Sequence, residues 1–377
     1  MRQPLKDLAA ICAGQGAPQG DHNYCENGTP FVKAGNLQEL LEGKAITSIQ
    51  KVSDEVAKKH KLRLYPKGTI LFAKSGMSCM KGYIYVLPQS AYVVSHLACI
   101  TPNEDISEYL RYYFNYHKPN QLVKDAAYPS ISLSDVGNLV VDMKSESERN
   151  EIVSVLQHTE SIITLRQQQL QKLNELVKAR FVEMFSSCQH IASMNELCSI
   201  ITDGTHQPPK FQDNGIPFIF VSNLVNNTVT YNAEKFISEE TYGELYKRTP
   251  IEIGDLLLST VGSYGHVAVV VEDKKFLFQR HIAYLKPKHE IVNSFYLHAA
   301  LLSPDGQRQI EEKVKGIAQK TLNLSEIKTI LIPLPSIEEQ KNFEVFVKQV
   351  DKSKVAVQKA LDEAQLLFDS LMQKFFG

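Results

Sequence analysis

Two long segments of the chain carry a heptad pattern of apolar residues and contain neither proline nor glycine. They cover residues 146–185 and 337–376. In the second segment the a and d positions are Phe343, Val347, Val350, Lys354, Val357, Leu361, Ala364, Phe368, Leu371 and Phe375. The positions 191 residues earlier are Ile152, Leu156, Thr159, Ile163, Arg166, Leu170, Leu173, Val177, Arg180 and Met184. Narrow stripes of equal length predict two helices that pair as a coiled coil, rather than two independent amphipathic helices.

The segments outside these helices show short apolar runs bounded by Gly, Pro and Asn. Such runs predict strands; examples are residues 69–72, 83–87, 92–94, 218–221, 255–259, 267–271 and 276–278. Residues 108–116 and 294–302 have a helical pattern and are expected to pack on these strands. No glycine fingerprint follows a first strand, so the pattern indicates α+β units rather than a doubly wound sheet.

The order of elements occurs twice, because the two halves of the chain resemble each other. Residues 68–72 return as 254–258, residues 96–102 return as 281–287, and residues 131–136 return as 322–327. Two long copies predict a pseudo-two-fold molecule instead of a solenoid. Duplex DNA is the commonest partner with the same two-fold character.

Composition narrows the class of protein without identifying it. The 377 residues are 43% hydrophobic and carry a net charge of −1, so any DNA binding is expected to rely on local patches or on partner subunits. No long apolar run and no leader-like segment is found, which predicts a cytoplasmic protein without a membrane span. The six cysteines show no metal-binding or disulfide spacing and are expected to be reduced.

Five motifs occur in a characteristic order in the second half. They are Asp203-Gly204-Thr205-His206 with Pro208, Gly215 to Leu224, Gly254 to Ser259 with Gly262 and Gly265, Gly316 to Leu324, and Ile332 to Gln340. In this order they resemble the specificity subunit of type I restriction-modification enzymes, and the resemblance covers essentially the whole chain. The first half departs from the pattern, with Gly14-Gln15-Gly16-Ala17-Pro18 in place of the Asp-Gly-Thr-His motif.

The resemblance implies an α+β architecture in which two pseudo-symmetric α/β target-recognition domains are separated by a pair of long antiparallel helices forming a coiled coil. The expected boundaries are a first target-recognition domain at 1–145, a first spacer helix at 146–187, a second target-recognition domain at 188–335 and a second spacer helix at 336–377. Each domain is expected to read one half of a split, asymmetric DNA site through the major groove. The helices, about 50 Å long over 33 residues at 1.5 Å per residue, are expected to set the unread gap.

The resemblance also implies partners. They are double-stranded DNA, two methyltransferase subunits and, through the complex, restriction and motor subunits. S-adenosylmethionine, ATP and Mg²⁺ are expected only on those partners, with no cofactor in this chain. A restriction-modification assembly with a fused methyltransferase-nuclease partner is the alternative that the sequence leaves open.

Base contacts in DNA need Arg, Lys, Asn or Gln on loops, and phosphate contacts need Lys, Arg, hydroxyl groups or backbone N–H groups. Candidates in the first half are Lys33, Asn36, Lys74, Ser75, Ser78 and Lys81, followed by Tyr128 and Ser130. Candidates in the second half are Thr205, His206, Lys210, Ser222, Asn223, Ser259, Thr260, Ser263, Tyr264, Arg280, Lys320 and Thr321. His96 and His281, at matched places in the two copies, are expected to be structural or to contact DNA.

No catalytic motif is found. The sequence has no P-loop and no adenine-methyltransferase pocket motif. A remote alternative is a metal-dependent nuclease that uses Asp305 and Glu311, but their short spacing on a helical pattern favours a solvated charged face. Cys198, Asp203 and His206 fit no zinc motif. We therefore expect a non-enzymatic chain without a metal site.

Overall fold

The chain folds into two units, each of which contains one end of both long helices. A computed structural model, which describes residues 1–316 and 319–377, assigns residues 1–165 and 361–377 to the first unit. Residues 166–360 form the second unit. Ile317 and Ala318, which belong to the fourth sequence motif, lie outside the described residues.

The first unit contains the N-terminal copy of the repeat. Its strands are β1 Arg2–Pro4, β2 Ala9–Ala13, β3 Thr29–Val32, β4 Lys51–Val52, β5 Ile70–Ala73, β6 Tyr85–Val86, β7 Tyr92–Val93, β8 Leu97–Pro102 and β9 Val140–Asp142. Its helices are α1 Leu5–Leu8, α2 Asn36–Leu41, α3 Asp54–Lys59, α4 Ser107–Tyr116 and α5 Leu133–Gly137, followed by the long helix α6 Glu146–Phe185.

The second unit contains the C-terminal copy. Its strands are β10 Ile191–Ser193, β11 Cys198–Asp203, β12 Ile216–Ile219, β13 Lys235–Ile237, β14 Leu256–Ser259, β15 Val267–Val269, β16 Leu277–Phe278, β17 Ile282–Pro287 and β18 Leu331–Pro333. Its helices are α7 Met194–Leu197, α8 Glu239–Leu245, α9 Ser294–Leu302, α10 Pro304–Lys313 and α11 Leu324–Ile327, followed by the long helix α12 Ile337–Phe376.

The strand orders of the two units correspond sheet by sheet. The four-stranded sheets have the orders β2-β8-β5-β6 and β11-β17-β14-β15, and the three-stranded sheets have the orders β4-β3-β7 and β13-β12-β16. The two-stranded sheets are β1-β9 and β10-β18. In both three-stranded sheets one pair is parallel, β3 with β7 and β12 with β16. The sequence repeat is therefore a repeat of topology, as predicted.

The central strands β5 and β14 are buried along their whole length and apolar except for Ser259, because both of their faces are covered. All four residues of β5 and all four of β14 are buried. Alternation between buried and exposed residues appears only where one face meets solvent. This explains why short continuous apolar runs located these strands in the sequence.

The two long helices begin with the same capping motif. The hydroxyl of Ser145 donates to Glu148 at 2.7 Å, and the hydroxyl of Ser336 donates to Glu339 at 2.7 Å. In each case the backbone N–H at the position of the glutamate points back at the serine hydroxyl. This reciprocal Ser-x-x-Glu arrangement satisfies N–H groups that a helix start leaves unpaired.

The ends of the two helices meet with opposite polarity inside each unit. In the first unit Ile152 from the start of α6 shares a core with Phe376 from the end of α12. In the second unit Phe185 from the end of α6 shares a core with Phe343 from the start of α12. Because the start of one helix lies beside the end of the other, the pair is antiparallel, which confirms the predicted architecture.

The heptad stripe follows the buried side of both helices, except at its ends. Its apolar positions are all buried or half-buried, whereas Arg180 is exposed. At the ends of the helices the most buried residues are shifted by one position, to Phe181 and Phe185 in α6 and to Met372 and Phe376 in α12. There each helix packs against a globular core as well as against the other helix.

Aromatic rings anchor the helix ends to the globular cores. The ring of Phe376 lies 5.3 Å from that of Tyr109 on α4, and the ring of Phe185 lies 5.0 Å from that of Tyr296 on α9. Tyr109 and Tyr296 occupy matched positions of the repeat. No helix among residues 1–316 and 319–377 is long and apolar enough to cross a membrane.

Candidate nucleic-acid interface

The polar candidates concentrate at one edge of each four-stranded sheet. In the first unit β2 and β5 end at this edge and β8 begins there, because neighbouring strands are antiparallel. Lys74 and Ser75 follow β5 directly, and His96 precedes β8. The Ser75 hydroxyl and Nδ1 of His96 are 2.8 Å apart. We call this edge, with the loops that leave it, the reading edge of the unit.

A second loop joins the reading edge in the same way in both units. In the first unit Ser75 and Ser130 form an antiparallel bridge, and the N–H of Gly76 donates to the carbonyl of Pro129 at 3.0 Å. In the second unit Val261 bridges Thr321, and the N–H of Gly262 donates to Lys320 at 3.3 Å. Residues separated by more than 50 positions are thereby placed side by side on each edge.

A close approach of two backbones explains the glycine of the Asp-Gly-Thr-His motif. A Cβ atom on Gly204 would lie 2.2 Å from the carbonyl oxygen of Phe278, and one on Gly14 would lie 2.2 Å from that of Val94. The first half therefore keeps the glycine of the motif although its neighbours differ. The fold requires a glycine at this position, whereas the residues next to it differ between the two units.

The reading edge of the second unit is rich in charged groups. Asp203, at the end of β11, is 16% exposed and accepts from Arg248 at 2.6 Å, and its second oxygen lies 2.8 Å from Nε2 of His206. Cys198 lies at the opposite end of β11. Within residues 1–316 and 319–377, no group of three His, Cys, Asp or Glu side chains is arranged to hold a metal.

A cavity of about 280 Å³ opens on this edge between Asp203, Thr260, Arg280, His281 and Thr321. Nε of Arg280 lies 3.4 Å from Nε2 of His281, and the Arg280 side chain is exposed. Burial, and then the neighbouring charge of Arg280, lowers the pKa of His281. The imidazole is therefore neutral at pH 7 and has one donor and one acceptor nitrogen.

A larger cavity, of about 550 Å³, lies beside the first and is lined by the loop after β11 and by α8. Thr205, His206 and Lys210 contribute to it, together with Arg248. Arg248 was missed in the sequence, since it sits in no motif and reaches Asp203 across 45 residues. The structure thus brings these four side chains together around one opening.

Three candidates of the second unit are buried. Asn223 is buried; its amide oxygen accepts from the N–H of Phe220 at 3.1 Å, and its NH₂ donates to the carbonyls of Thr230 and Asn232. Ser259 is fully buried and accepts from the N–H of His266, and Thr260 is 5% exposed. Ser259 has no free surface and the Asn223 amide is committed to the backbone, so we remove both from the DNA-contact set, whereas Thr260 borders the cavity beside Arg280 and stays a prediction. Ser222, next to Asn223, is exposed.

Asn36 is the counterpart of Asn223 in the first unit. Its amide oxygen accepts from the N–H of Lys33 at 2.9 Å and so closes the same turn after β3 that Asn223 closes after β12. Nζ of Lys33 donates to Gln50 at 2.6 Å and lies 4.5 Å from the ring centre of Tyr24. Asn36 thus shapes the turn, and Lys33 is held at the end of β3.

The remaining candidates lie on loops and turns and are exposed or half-buried. Nζ of Lys81 donates to Gln38 at 3.3 Å, and Ser78 is half-buried in the turn before it. In the second unit the Ser263 hydroxyl lies 2.9 Å from Nε2 of His266. Nζ of Lys320 donates to Glu311 at 3.1 Å, and the hydroxyl of Tyr264 donates to the same carboxylate.

The carboxylates of the nuclease alternative are engaged in ion pairs on α10. Asp305 accepts from Arg308 at 2.5 Å, and Arg308 also donates to Glu312 at 2.7 Å. Glu311 is held by Lys320 and Tyr264. These contacts are typical of a solvated helix face.

The comparisons with known proteins agree with each other. A family described as type I restriction modification DNA specificity domain matches the chain twice, over residues 2–175 and 191–364. The type I restriction enzyme EcoBI specificity subunit of Escherichia coli is 33% identical over 177 residues, which are 46% of this chain and 37% of that protein. The chain thus matches well under half of that relative's length.

A second relative matches along almost the whole chain. The type I restriction enzyme MjaIX specificity subunit of Methanocaldococcus jannaschii is 26% identical over 408 residues, covering 99% of this chain and 92% of that protein. Among solved structures, the type I restriction-modification S subunit of M. genitalium superposes with a TM-score of 0.56 at 13% identity, covering 100% of this chain and 96% of its own. A chain from a structural study of complex assembly in a type I R-M system superposes with a TM-score of 0.58 at 17% identity, covering 100% of this chain and 97% of its own. The structural likenesses show a shared fold.

Proposed function

Because the chain belongs to the family of type I restriction modification DNA specificity domains, we propose that it selects the DNA sequence on which a restriction-modification complex acts. Each unit reads one half of a split site with its reading edge. The observation that supports this proposal is that one edge recurs in both units on the same backbone but with different side chains. Different side chains on a common frame fit an asymmetric site with two unlike half-sites.

The second unit supplies the groups that read a guanine. Arg280 is exposed at the mouth of the cavity next to His281, and a guanidinium group donates two parallel hydrogen bonds to O6 and N7 of guanine. Arg248 is partly neutralised by Asp203, so it is better placed to position that carboxylate than to meet a phosphate. In the first unit Lys74, together with Ser75, occupies the edge instead.

The chain catalyses nothing in this proposal and depends on partners. A net charge of −1 gives little phosphate neutralisation, so methyltransferase subunits that close around the duplex strengthen the binding. Two methyltransferase subunits dock on this chain, and restriction and motor subunits join through the complex. S-adenosylmethionine, ATP and Mg²⁺ belong to these partners, and the complex works in the cytoplasm, where the host DNA is.

A fused methyltransferase-nuclease partner is the second candidate assembly. Purifying the tagged chain from its host distinguishes the two, because separate methyltransferase and motor polypeptides copurify in one case and a single large polypeptide in the other.

The function is tested by mapping adenine methylation in a host whose only specificity subunit is this chain. The wild type is expected to give a split motif with two half-sites. Arg280→Ala is expected to relax one base pair in one half-site, because an arginine–guanine pair contributes about 1–3 kcal/mol of discrimination. The control is Arg308→Ala, on the exposed face of α10, which leaves the motif unchanged. Methylation of an unsplit motif by the wild type, or a motif that Arg280→Ala leaves intact, contradicts the proposal.

The paired helices set the unread gap in this proposal. Inserting one helical turn into the exposed middle of each long helix is expected to change the number of unread base pairs and to leave both half-sites unchanged. Changed half-sites at a constant gap contradict this role of the helices.

A further inference from the structure

Two large apolar side chains stand exposed on the reading edge of the first unit. Met77 is 70% exposed and Tyr128 is 82% exposed. They flank the backbone hydrogen bond from Gly76 to Pro129: Met77 opens the 3-10 helix Met77–Lys81 directly after Gly76, and Tyr128 directly precedes Pro129. The pair therefore extends outward from the edge and is not part of the hydrophobic core.

The fold does not require an apolar pair at this place. In the second unit the same bridge and the same glycine hydrogen bond lead to Ser263 and Gln319, both exposed and polar. One backbone thus carries a thioether and a phenol in one unit and a hydroxyl and an amide in the other. The apolar pair is a property of what the first unit binds.

The neighbours of the pair point to DNA as its partner. Lys74 and Ser75 precede Met77, and Ser130 follows Tyr128, so the apolar patch is bordered by groups that bind phosphates or bases. An apolar patch that faces the major groove finds few apolar groups there to pack against. The C5-methyl group of thymine is the one that the unmodified bases present there.

We propose that the first unit recognises a thymine by packing Met77 and Tyr128 against its C5-methyl group. The proposal rests on the proposed function, since it assigns a base to one half-site of the split sequence. It makes the two units chemically different readers, with an apolar contact to a methyl group in the first unit and guanidinium hydrogen bonds in the second.

The test uses the full chain in its native complex and a duplex that contains the methylated motif. Each dT of the motif is replaced in turn by dU, which removes only the C5-methyl group. Replacement at one position of one half-site is expected to weaken binding about fourfold, the equivalent of the ~0.8 kcal/mol that one buried methyl group contributes. Binding is measured by fluorescence anisotropy at constant salt concentration.

The double variant Met77→Ser/Tyr128→Gln gives the first unit the residues of the second. It is expected to bind the dT and dU duplexes equally, with both at the level of wild type on dU. The matched control, Val140→Ser on β9 of the first unit, changes an apolar side chain that is 53% exposed but lies outside the reading edge, and it keeps the fourfold difference. Because the side chains are exposed, the double variant retains the fold, which circular dichroism checks.

Each other outcome overturns the inference. The inference is wrong if the half-site that the first unit reads contains no thymine. It is also wrong if the wild type binds every dU duplex as tightly as the dT duplex, or if the double variant still binds a dU duplex more weakly. If instead the double variant binds DNA normally but loses a copurifying protein, the patch is a protein-docking surface. Failure of the proposed function is recognised separately, because then the wild-type complex shows no preference for the motif over unrelated DNA.

Discussion

Replacing Phe185 or Phe376 by alanine tests whether the C-terminal end of one long helix completes the hydrophobic core of each unit. The two phenylalanines hold matched positions, one at the end of α6 in the second unit and the other at the end of α12 in the first. Phe185 is 2% exposed and Phe376 is 8% exposed. Each substitution removes a buried ring and leaves a cavity in one core only.

The contacts of each ring set the expected cost. Phe185 lies 5.0 Å from Tyr296, 5.2 Å from Phe181 and 5.6 Å from Phe343, measured between ring centres. Phe376 lies 5.3 Å from Tyr109 and, less closely, 6.5 Å from Tyr113. Burying and packing a phenylalanine contributes about 3–5 kcal/mol, so Phe185→Ala is expected near ~5 kcal/mol and Phe376→Ala near ~3 kcal/mol.

Amide hydrogen exchange measures these costs locally. Phe185→Ala is expected to speed exchange by roughly a thousandfold or more for amides of α9 and for the start of α12, since ~1.4 kcal/mol corresponds to a factor of ten. Phe376→Ala is expected to speed exchange in α4 and at the start of α6, by roughly a hundredfold. The segments that respond lie far from the substitution along the chain.

Two results refute the reasoning. If Phe376→Ala leaves exchange at the start of α6 unchanged, the end of α12 does not complete the first core. If both variants speed exchange equally throughout residues 1–316 and 319–377, the two units do not unfold separately. A conservative control, Phe185→Leu, keeps most of the buried volume and is expected to cost no more than about 1.5 kcal/mol.

Three further substitutions test polar contacts. Arg111 donates to both oxygens of Glu160, at 3.0 and 2.8 Å; burial alone raises the pKa of Glu160, but hydrogen bonds from Arg111 and a tyrosine outweigh it and lower that pKa. The pKa of Glu160 in the folded state lies below its unfolded value, so the free energy of unfolding of wild type is expected to fall by about 1 kcal/mol relative to Glu160→Gln as pH falls below about 4. Urea denaturation measures this difference, and a difference that does not change with pH contradicts the expectation. The pH dependence at Asp255 is expected to be the opposite: burial raises its pKa, so wild type loses stability relative to Asp255→Asn as pH rises above about 4. A wild type that instead loses stability relative to Asp255→Asn as pH falls contradicts this. Asn223→Ala removes bonds to three backbone groups and is expected to cost about 1–3 kcal/mol with thermal denaturation as the readout; a variant as stable as wild type shows that the turn does not need the amide.

The long helices were predictable because their signals extend over many residues. A stripe maintained over ten heptad positions, the absence of proline and glycine, and Ser-x-x-Glu at both starts all specify the same boundaries. The central strands β8 and β17 were not predicted. Alanine, cysteine and lysine residues within them, and a proline at the end of each, weaken the strand signal, and their conformation depends on pairing with strands on both sides.

The candidate site was predictable in position but less so in detail. The candidate residues that follow β5 and β14 do lie together at one edge of each sheet, and their contact with DNA stays a prediction. Asn36 and Asn223, however, recur at matched places because both units need the same turn, and a binding role does not follow from that recurrence. Arg248 left no signal, since its contact with Asp203 exists only in the folded chain.

The division of the chain into units has a consequence for biosynthesis. The first unit contains residues 1–165 but also residues 361–377, and the second unit is continuous between them. Phe376 follows Leu165 by 211 residues, all of which must leave the ribosome before Phe376 can enter the first core. At about 5–20 residues per second this delay is roughly 10–40 s. During this time the core of the N-terminal unit lacks the end of α12, and apolar side chains that α12 covers in the folded protein stay exposed. We therefore expect chaperones to bind the half of the chain that is synthesised first.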